Sequence, residues 1–290
     1  MSLKRVLITG ANSYVGTSVE NGLKKEPEKY YIESLDMKDP NWKNFDFSKF
    51  DIVFHVAGIA HVSTKKSMKE IYFKVNRDLT IETAIKAKKS GVKQFIFMSS
   101  MIVYNSKETK ITLDTNPDPD NFYGLSKLQA ENGIKSLQSD SFNVCILRPP
   151  MIYGPYSKGN FIRLVNLSKK LFLFPRFNNV RSFLYINNLV EYIKLYIDHD
   201  FKGVYFPQNS EYFCTSELYG IVRKFYNKKV YYINIFNFFI HLFRNKSSTL
   251  RKVFGDHFYS ISNSIPANLI SFDKSMVETL STTTEKDSKI

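Results

Sequence analysis

The chain opens with Lys4-Arg5-Val6-Leu7-Ile8-Thr9-Gly10-Ala11-Asn12-Ser13-Tyr14-Val15-Gly16, and few folds accommodate such a start. Val6, Leu7 and Ile8 form an unbroken apolar run, the pattern of a strand covered on both faces. The glycines follow at once, and a helical segment is expected from Thr17 to Lys25. Strand, glycine turn and helix together form a phosphate cradle. Backbone amides at the helix start point outward, and the helix dipole favours an anion there. Gly10 permits the tight turn and Gly16 lets helix and strand pack closely. Ser13 stands where a middle glycine is usual. It is small enough for close backbone approach, and its hydroxyl is a candidate phosphate donor. Gly10, Asn12, Ser13, Tyr14, Val15 and Gly16 are therefore the first candidate cofactor contacts.

The next segments keep the same rhythm. Tyr30-Tyr31-Ile32-Glu33-Ser34-Leu35-Asp36 reads as a second strand ending in an acid, about twenty residues past the glycines, where an acid reaches the adenosine ribose. Asp36 favours NAD over NADP, and Lys38 two residues on keeps NADP open. Asp46 is a candidate for the adenine amino group, with a solvated loop acid as the plainer reading. Asp51 to Gly58 reads as a third strand ending in Ala57 and Gly58, small residues against which a cofactor backbone can lie. His55 reads as a packed strand histidine. His61 falls in the following loop, at the edge where open α/β sheets bind ligands. A helix then carries Asn76 and stops at Gly91. Gln94 to Met98 reads as a strand delivering Ser99 and Ser100 to that same edge, and Asn143 to Arg148 as another. Strands alternating with helices imply an α/β fold, a Rossmann-type doubly wound parallel sheet.

Tyr123 and Lys127 lie four apart on a segment expected to be helical, so they share a face. A nearby ammonium stabilises phenolate, so the tyrosine pKa, about 10 when unperturbed, is expected to fall. A hydroxyl, a tunable phenol and a lysine are the parts needed to move a proton on and off a sugar oxygen during hydride transfer.

Composition narrows the class. With 290 residues, 43% hydrophobic and 15% aromatic, the chain can bury a large core. The expected division is a dinucleotide-binding domain over 1–150, its fold completed by parts of 180–206. A smaller substrate lobe with C-terminal helices follows over 151–277, and a disordered, Thr-rich tail over 278–290. Two cysteines and five scattered histidines give neither a disulfide framework nor metal spacing. Met1 to Lys4 leads straight into the first strand, so the expectation is a cytoplasmic enzyme without structural metal. The formal charge is +14, but no nucleic-acid motif accompanies it; solvated lysines are the plainer reading. The Val230–Phe243 run is too short for the ~20 residues of a spanning helix. Asn234, Asn237, His241 and Arg244 recur along it at helical spacing. A helix at a membrane surface and a helix packed on the substrate lobe both remain open.

In combination these segments resemble the extended short-chain dehydrogenase/reductases, the NAD-dependent epimerase/dehydratase family acting on nucleotide sugars. The likeness runs from about Lys4 to Glu217. Phe97 to Tyr104 resembles the catalytic-serine strand, with Ser100 as the active hydroxyl, and Tyr123 with Lys127 the catalytic pair. Leu147 to Pro155 resembles the segment passing the nicotinamide, with Pro149 beside it and Met151 where many relatives carry a substrate-contacting asparagine. Val180 to Asn188 resembles the segment bearing a diphosphate-binding arginine, here Arg181, with Asn187 in place of the usual acid. By the same likeness Asn76 contacts cofactor and Asn160 substrate. Relatives are often homodimers. Dehydratases of the family place an acidic pair after the serine; here stand Met101 and Ile102, which cannot transfer protons. The resemblance favours an NAD(P)-dependent 4-keto-6-deoxy-hexose reductase supplying surface-polysaccharide precursors. The alternatives are a UDP-sugar 4-epimerase with retained NAD and a non-catalytic NAD(P)-sensing regulator.

Overall fold

Apolar runs that do not alternate become the strands of one parallel sheet. The computed structural model describes residues 3–60, 66–244, 246–260 and 268–287; His61 lies outside the described residues. In chain order the elements begin β1 (Lys4–Thr9), α1 (Tyr14–Leu23), β2 (Tyr30–Leu35), β3 (Ile52–His55), α2 (Lys69–Tyr72), α3 (Leu79–Lys89), β4 (Gln94–Met98), β5 (Lys110–Ile111), α4 (Phe122–Lys135) and β6 (Asn143–Leu147). There follow β7 (Met151–Tyr153), α5 (Asn160–Lys170), β8 (Phe174–Pro175), β9 (Phe183–Tyr185), α6 (Ile186–Asp198), β10 (Gly203–Tyr205), α7 (Thr215–Phe225), β11 (Tyr232–Ile233), α8 (Ile235–Phe243), α9 (Ser248–Phe254), β12 (Phe258–Tyr259) and α10 (Phe272–Asp287).

The chain divides into two units. The first comprises Met1–Tyr104, Pro117–Pro149 and Leu189–Pro207. It holds a six-stranded sheet of order β10-β6-β4-β3-β1-β2, parallel at each pairing. Strand order reverses at β1, which pairs with both β2 and β3, and such a reversal opens the crevice where these sheets bind ligands. Phe54, Phe95 and Phe97 are fully buried on the central strands, each worth about 1.5–3 kcal/mol relative to an exposed ring.

The second unit comprises Asn105–Asn116, Pro150–Asn188 and Gln208–Ile290. It is built from three two-stranded pairings, β11-β8, β12-β5 and β7-β9, and helices. Phe174, Phe177, Tyr219, Ile240 and Phe254 form one of its cores. Asn105–Asn116 belongs here although the sequence division assigned it to the first domain.

Two expectations need correcting. Helix α1 begins at Tyr14, three residues before Thr17, because Ser13 caps it by accepting from the Gly16 amide at 3.0 Å. The segment from Glu278 is not a disordered tail up to Asp287, since α10 continues through it. Leu280 is buried, and the Thr279 and Thr283 hydroxyls donate to carbonyls one turn back. Polar composition alone concealed this single buried stripe.

Candidate active site

The glycine loop leaves β1 at the switch point. Gly10 has φ +121°, a backbone open to glycine, and a Cβ there would lie 2.7 Å from the Ala57 amide nitrogen. The loops after β1 and β3 are therefore in direct contact. The Gly10 and Ala11 amides donate to the Leu35 carbonyl at 2.9 and 3.1 Å, which sets exposed Asp36 beside the loop. Asn12 also takes a positive φ of 62°. The first amides of α1, at Tyr14 and Val15, have no partner within the helix. The Tyr14 hydroxyl is buried without a hydrogen bond, an orphaned polar atom beside the cradle. These features fit a dinucleotide's phosphates. Ser13 spends its oxygen as the helix cap, which leaves its O–H as the available donor. Asp46 is exposed, and its carboxylate accepts from the Ser48 amide and hydroxyl at 3.0 and 2.6 Å. Those bonds hold it below the usual carboxylate range.

The second cluster forms where β4 ends. Ser100 caps the short helical turn Met101–Val103, accepting from the Ile102 amide at 3.2 Å. Helix α4 packs on that turn because residue 124 is glycine: a Cβ there would strike the Ile102 carbonyl and lie 2.7 Å from Pro119 Cβ. This close approach sets the neighbouring Tyr123 phenol beside Ser100, whose hydroxyl acts to lower its pKa. Lys127 is 5% exposed. Its Nζ donates to the Met98 carbonyl at 2.8 Å and lies 4.6 Å from the centre of the Phe97 ring.

The electrostatics reverse one expectation. Burial pushes the Tyr123 phenol up to about 12, against the lowering effect of the Ser100 hydroxyl. The lysine does not pull it down. Its ammonium is turned to Met98, and burial brings Lys127 itself down to about 8, opposed by Glu131. Desolvation outweighs the i,i+4 proximity from which the fall was inferred.

Asn76 and Gly58 join this cluster. Asn76 is fully buried on a π-helical segment, Phe73–Asp78, between α2 and α3; such wide turns often occur at functional sites. Its Oδ1 accepts from the Ile59 amide at 2.8 Å, and its Nδ2 donates to the Ile59 carbonyl and the Ser126 hydroxyl. A Cβ on Gly58 would lie 2.9 Å from Asn76 Oδ1 and 3.3 Å from Lys127 Nζ. The loop after β3 thus touches both the glycine loop and the lysine. Pro149 is buried, and its carbonyl accepts from the Met101 amide at 2.9 Å.

Two supporting networks were missed in the sequence. Glu131, one turn beyond Lys127, is fully buried. It accepts from Ser99 Oγ and from Arg148 Nε, the latter at 3.0 Å, while Arg148 NH1 donates to the Tyr104 hydroxyl at 2.6 Å. This fixes the strand end that presents Ser100. The continuing four-residue spacing Tyr123, Lys127, Glu131 was the available signal. The other network is Thr9–His55–Thr80. Thr80 donates to the Asn76 carbonyl at 2.9 Å, so it accepts from His55 Nε2 at 3.0 Å, and Nδ1 faces Thr9 at 2.7 Å. Burial, and then Lys127, hold His55 neutral, down to about 3. It is a packed strand histidine.

The proposed substrate contacts lie in the second unit. Arg181 forms bridges with Phe213 and His257, and its NH1 donates to the Gly255 carbonyl at 2.9 Å. Burial lowers it to about 10, opposed by Asp256. Exposed Asn160 is the first residue of α5. Met151 is half-buried on β7, and exposed Asn187 donates to the Tyr185 hydroxyl at 3.2 Å. Among the described residues no group of three or more His, Cys, Asp or Glu is placed to hold a metal.

Known proteins resemble this chain in sequence and in fold. A model of the NAD dependent epimerase/dehydratase family matches residues 6–206. The chain belongs to this family. UDP-glucose 4-epimerase of Vibrio cholerae is 34% identical over 223 residues, 68% of this chain and 67% of that protein. N-acetyl-alpha-D-glucosaminyl-diphospho-ditrans,octacis-undecaprenol 4-epimerase of Escherichia coli O157:H7 is 28% identical over 245 residues, 78% of this chain and 73% of that protein. The structure of MoeE5 in complex with UDP-glucose and NAD superposes with a TM-score of 0.72, covering 97% of this chain and 99% of that one. At 17% identity that likeness shows the fold alone. The protein is thus an NAD-dependent enzyme of the epimerase/dehydratase family.

Proposed function

We propose that the protein carries out redox chemistry at C4 of a sugar diphosphate, with a UDP-sugar favoured, by 4-epimerisation on a retained NAD. The observation that carries this reading is the placing of Ser100, Tyr123 and buried Lys127 together, with Ser100 acting on the Tyr123 phenol and Lys127 held on the Met98 carbonyl, at the sheet edge that also bears the glycine loop. Gly10, Asn12, Ser13, Tyr14, Val15 and Gly16 would hold the dinucleotide phosphates. Asp36 would hold the ribose, and Ala57, Gly58, Asn76, Lys127 and Pro149 the part nearer the chemistry. When bound, the nicotinamide supplies an acceptor and donor of hydride.

Ser100 would hold the C4 oxygen, and Tyr123 would move the proton at that oxygen. Taking the proton requires phenolate, which burial disfavours. Positive charge arriving with the cofactor and held by Lys127 would lower that barrier. Arg181 is the candidate grip on the diphosphate, where a planar guanidinium suits paired oxygens, and Asn160 a further substrate contact. Met101, Ile102 and Val103 follow Ser100. None can transfer a proton, so elimination of water is disfavoured. The two relatives described above are 4-epimerases by name, which supports epimerisation; the second acts on a polyprenyl-linked sugar by name, and that carrier is the alternative to UDP.

Reduction of a 4-keto-6-deoxy sugar is the second reading, and the phenol itself favours it. A tyrosine held protonated at neutral pH is ready to donate to a carbonyl oxygen as hydride arrives. The test incubates purified protein with UDP-glucose and UDP-GlcNAc, with and without NAD. Formation of the C4 epimers supports the first reading. NAD(P)H oxidation only when a UDP-4-keto-6-deoxy sugar is added supports the second. With neither, and with no C4 epimer formed from polyprenyl-diphosphate-linked GlcNAc, both fail.

A further inference from the structure

Helix α8 is inverted. Ordinary surface helices bury an apolar stripe, yet here the polar stripe faces the second unit. Asn237 Nδ2 donates to the Arg176 carbonyl at 2.8 Å, the His241 ring packs on Phe177 at 4.8 Å, and the Arg244 guanidinium lies 5.6 Å from the same ring. Ile240 is the one apolar side chain of α8 that is buried. Ile235 is 68% exposed, Phe238 70% and Phe239 52%, and Phe236, Leu242 and Phe243 are exposed with them. Tyr231, just upstream, packs at a tilt against exposed Phe172 with ring centroids 4.6 Å apart, extending the apolar surface. Scattered exposed apolar residues need no explanation; a contiguous face does.

Charge indicates what covers this face. Residues 218–255 include eight lysines and arginines, of which Arg223 is buried, and no aspartate or glutamate. Lys228 and Lys229 precede the apolar run and Lys246 follows it, all exposed. Residues 155–190 likewise carry six cations and no acid. A second copy of the chain would bring the same cations against them, and like charges across an interface are unfavourable. Anionic headgroups over an apolar interior match both features, since aromatic and aliphatic side chains enter the acyl boundary while lysines meet phosphates. Among the described residues no helix is long and apolar enough to cross a membrane, so the contact is lateral. We propose that the exposed face of α8, with its lysine rim, docks the protein on an anionic lipid surface.

The test is vesicle flotation of the full chain. It should float with phosphatidylcholine vesicles containing phosphatidylglycerol, and weakly with phosphatidylcholine alone. The double variant Phe238→Ser, Phe239→Ser should lower the bound fraction at least about tenfold. Its circular dichroism spectrum should match that of the unmodified protein. A separate variant, Phe238→Trp, keeps the apolar face and reports on it directly: its emission should shift to the blue when anionic vesicles are added, against the buried Trp42 background. The proposal is overturned by absence of flotation, by unchanged flotation of the double variant, or by an unshifted emission. It is also overturned if the double variant abolishes a concentration-dependent dimer while vesicles go unbound, which would assign the face to a second copy.

Discussion

Helices α4 and α8 break the same rule in opposite directions. On α4, Ser126, Lys127 and Glu131 are all buried; on α8, six large apolar side chains are exposed. Ordinary amphipathic packing would do neither. The cost on α4 is offset in part by specific bonds: Ser126 to Asn76, Lys127 to Met98, and Glu131 to Ser99 and Arg148. Such bonds fix positions, as proton transfer at a defined atom requires. On α8 the exposed side is apolar and non-directional, which suits contact with a surface and not with one ligand atom. The two helices therefore separate chemistry from location.

Stability measurements can break or sharpen that contrast. The largest effect is expected from Glu131→Ala. It leaves the 4%-exposed Arg148 guanidinium without its carboxylate, and removal of one partner of a buried pair costs about 3–5 kcal/mol. Denaturant unfolding would show it; a loss below about 1 kcal/mol would mean the pair behaves as a surface bridge.

Next comes Lys127→Met, expected to stabilise the fold while ending activity. The lysine is lowered from its ordinary 10.5 to about 8 by burial, a penalty on the order of 3 kcal/mol at neutral pH. The lost bond to Met98 offsets about 1 kcal/mol. Because the folded state releases the proton first, the unfolded state binds more protons between pH 8 and 10.5. Stability from this group is accordingly lowest below pH 8 and rises with pH across that window. Unfolding midpoints across that range should rise for the unmodified protein relative to the Lys127→Met variant. Parallel curves would place the lysine in water.

The smallest effect is expected from Phe238→Ser with Phe239→Ser. Exposed positions outside special features change stability by about 0.5 kcal/mol or less. A melting curve showing a core-sized loss would contradict the outward face of α8.

Much of this could be read from the chain, and the misses share a cause. Strands β1, β3, β4 and β6 were legible because buried parallel strands are continuous apolar runs. Helical spacing put Tyr123 and Lys127 on one face and a strand end brought Ser99 and Ser100 to the same edge; the choice of Ser100 came from the family resemblance. Spacing gives which residues share a face, but not which way that face points. The polar stripe of α8 was found without its inward direction, and α10 hid a buried Leu280 behind threonines. Local pattern also cannot weigh desolvation against charge. Tyr123 was expected to become more acidic and instead becomes less so, because burial is a property of the assembled site. The π-helical turn holding Asn76 has no local sequence signal at all.

The central claim is that the polar face of α4 moves a proton at C4 of the substrate. Tyr123→Phe tests it most directly, because it deletes one oxygen and leaves the helix and the glycine loop in place. Turnover should fall by about 10²–10⁴-fold, in whichever direction the unmodified protein works, while NAD(P) titration gives an unchanged dissociation constant. Turnover within a few-fold of the unmodified protein would contradict the account.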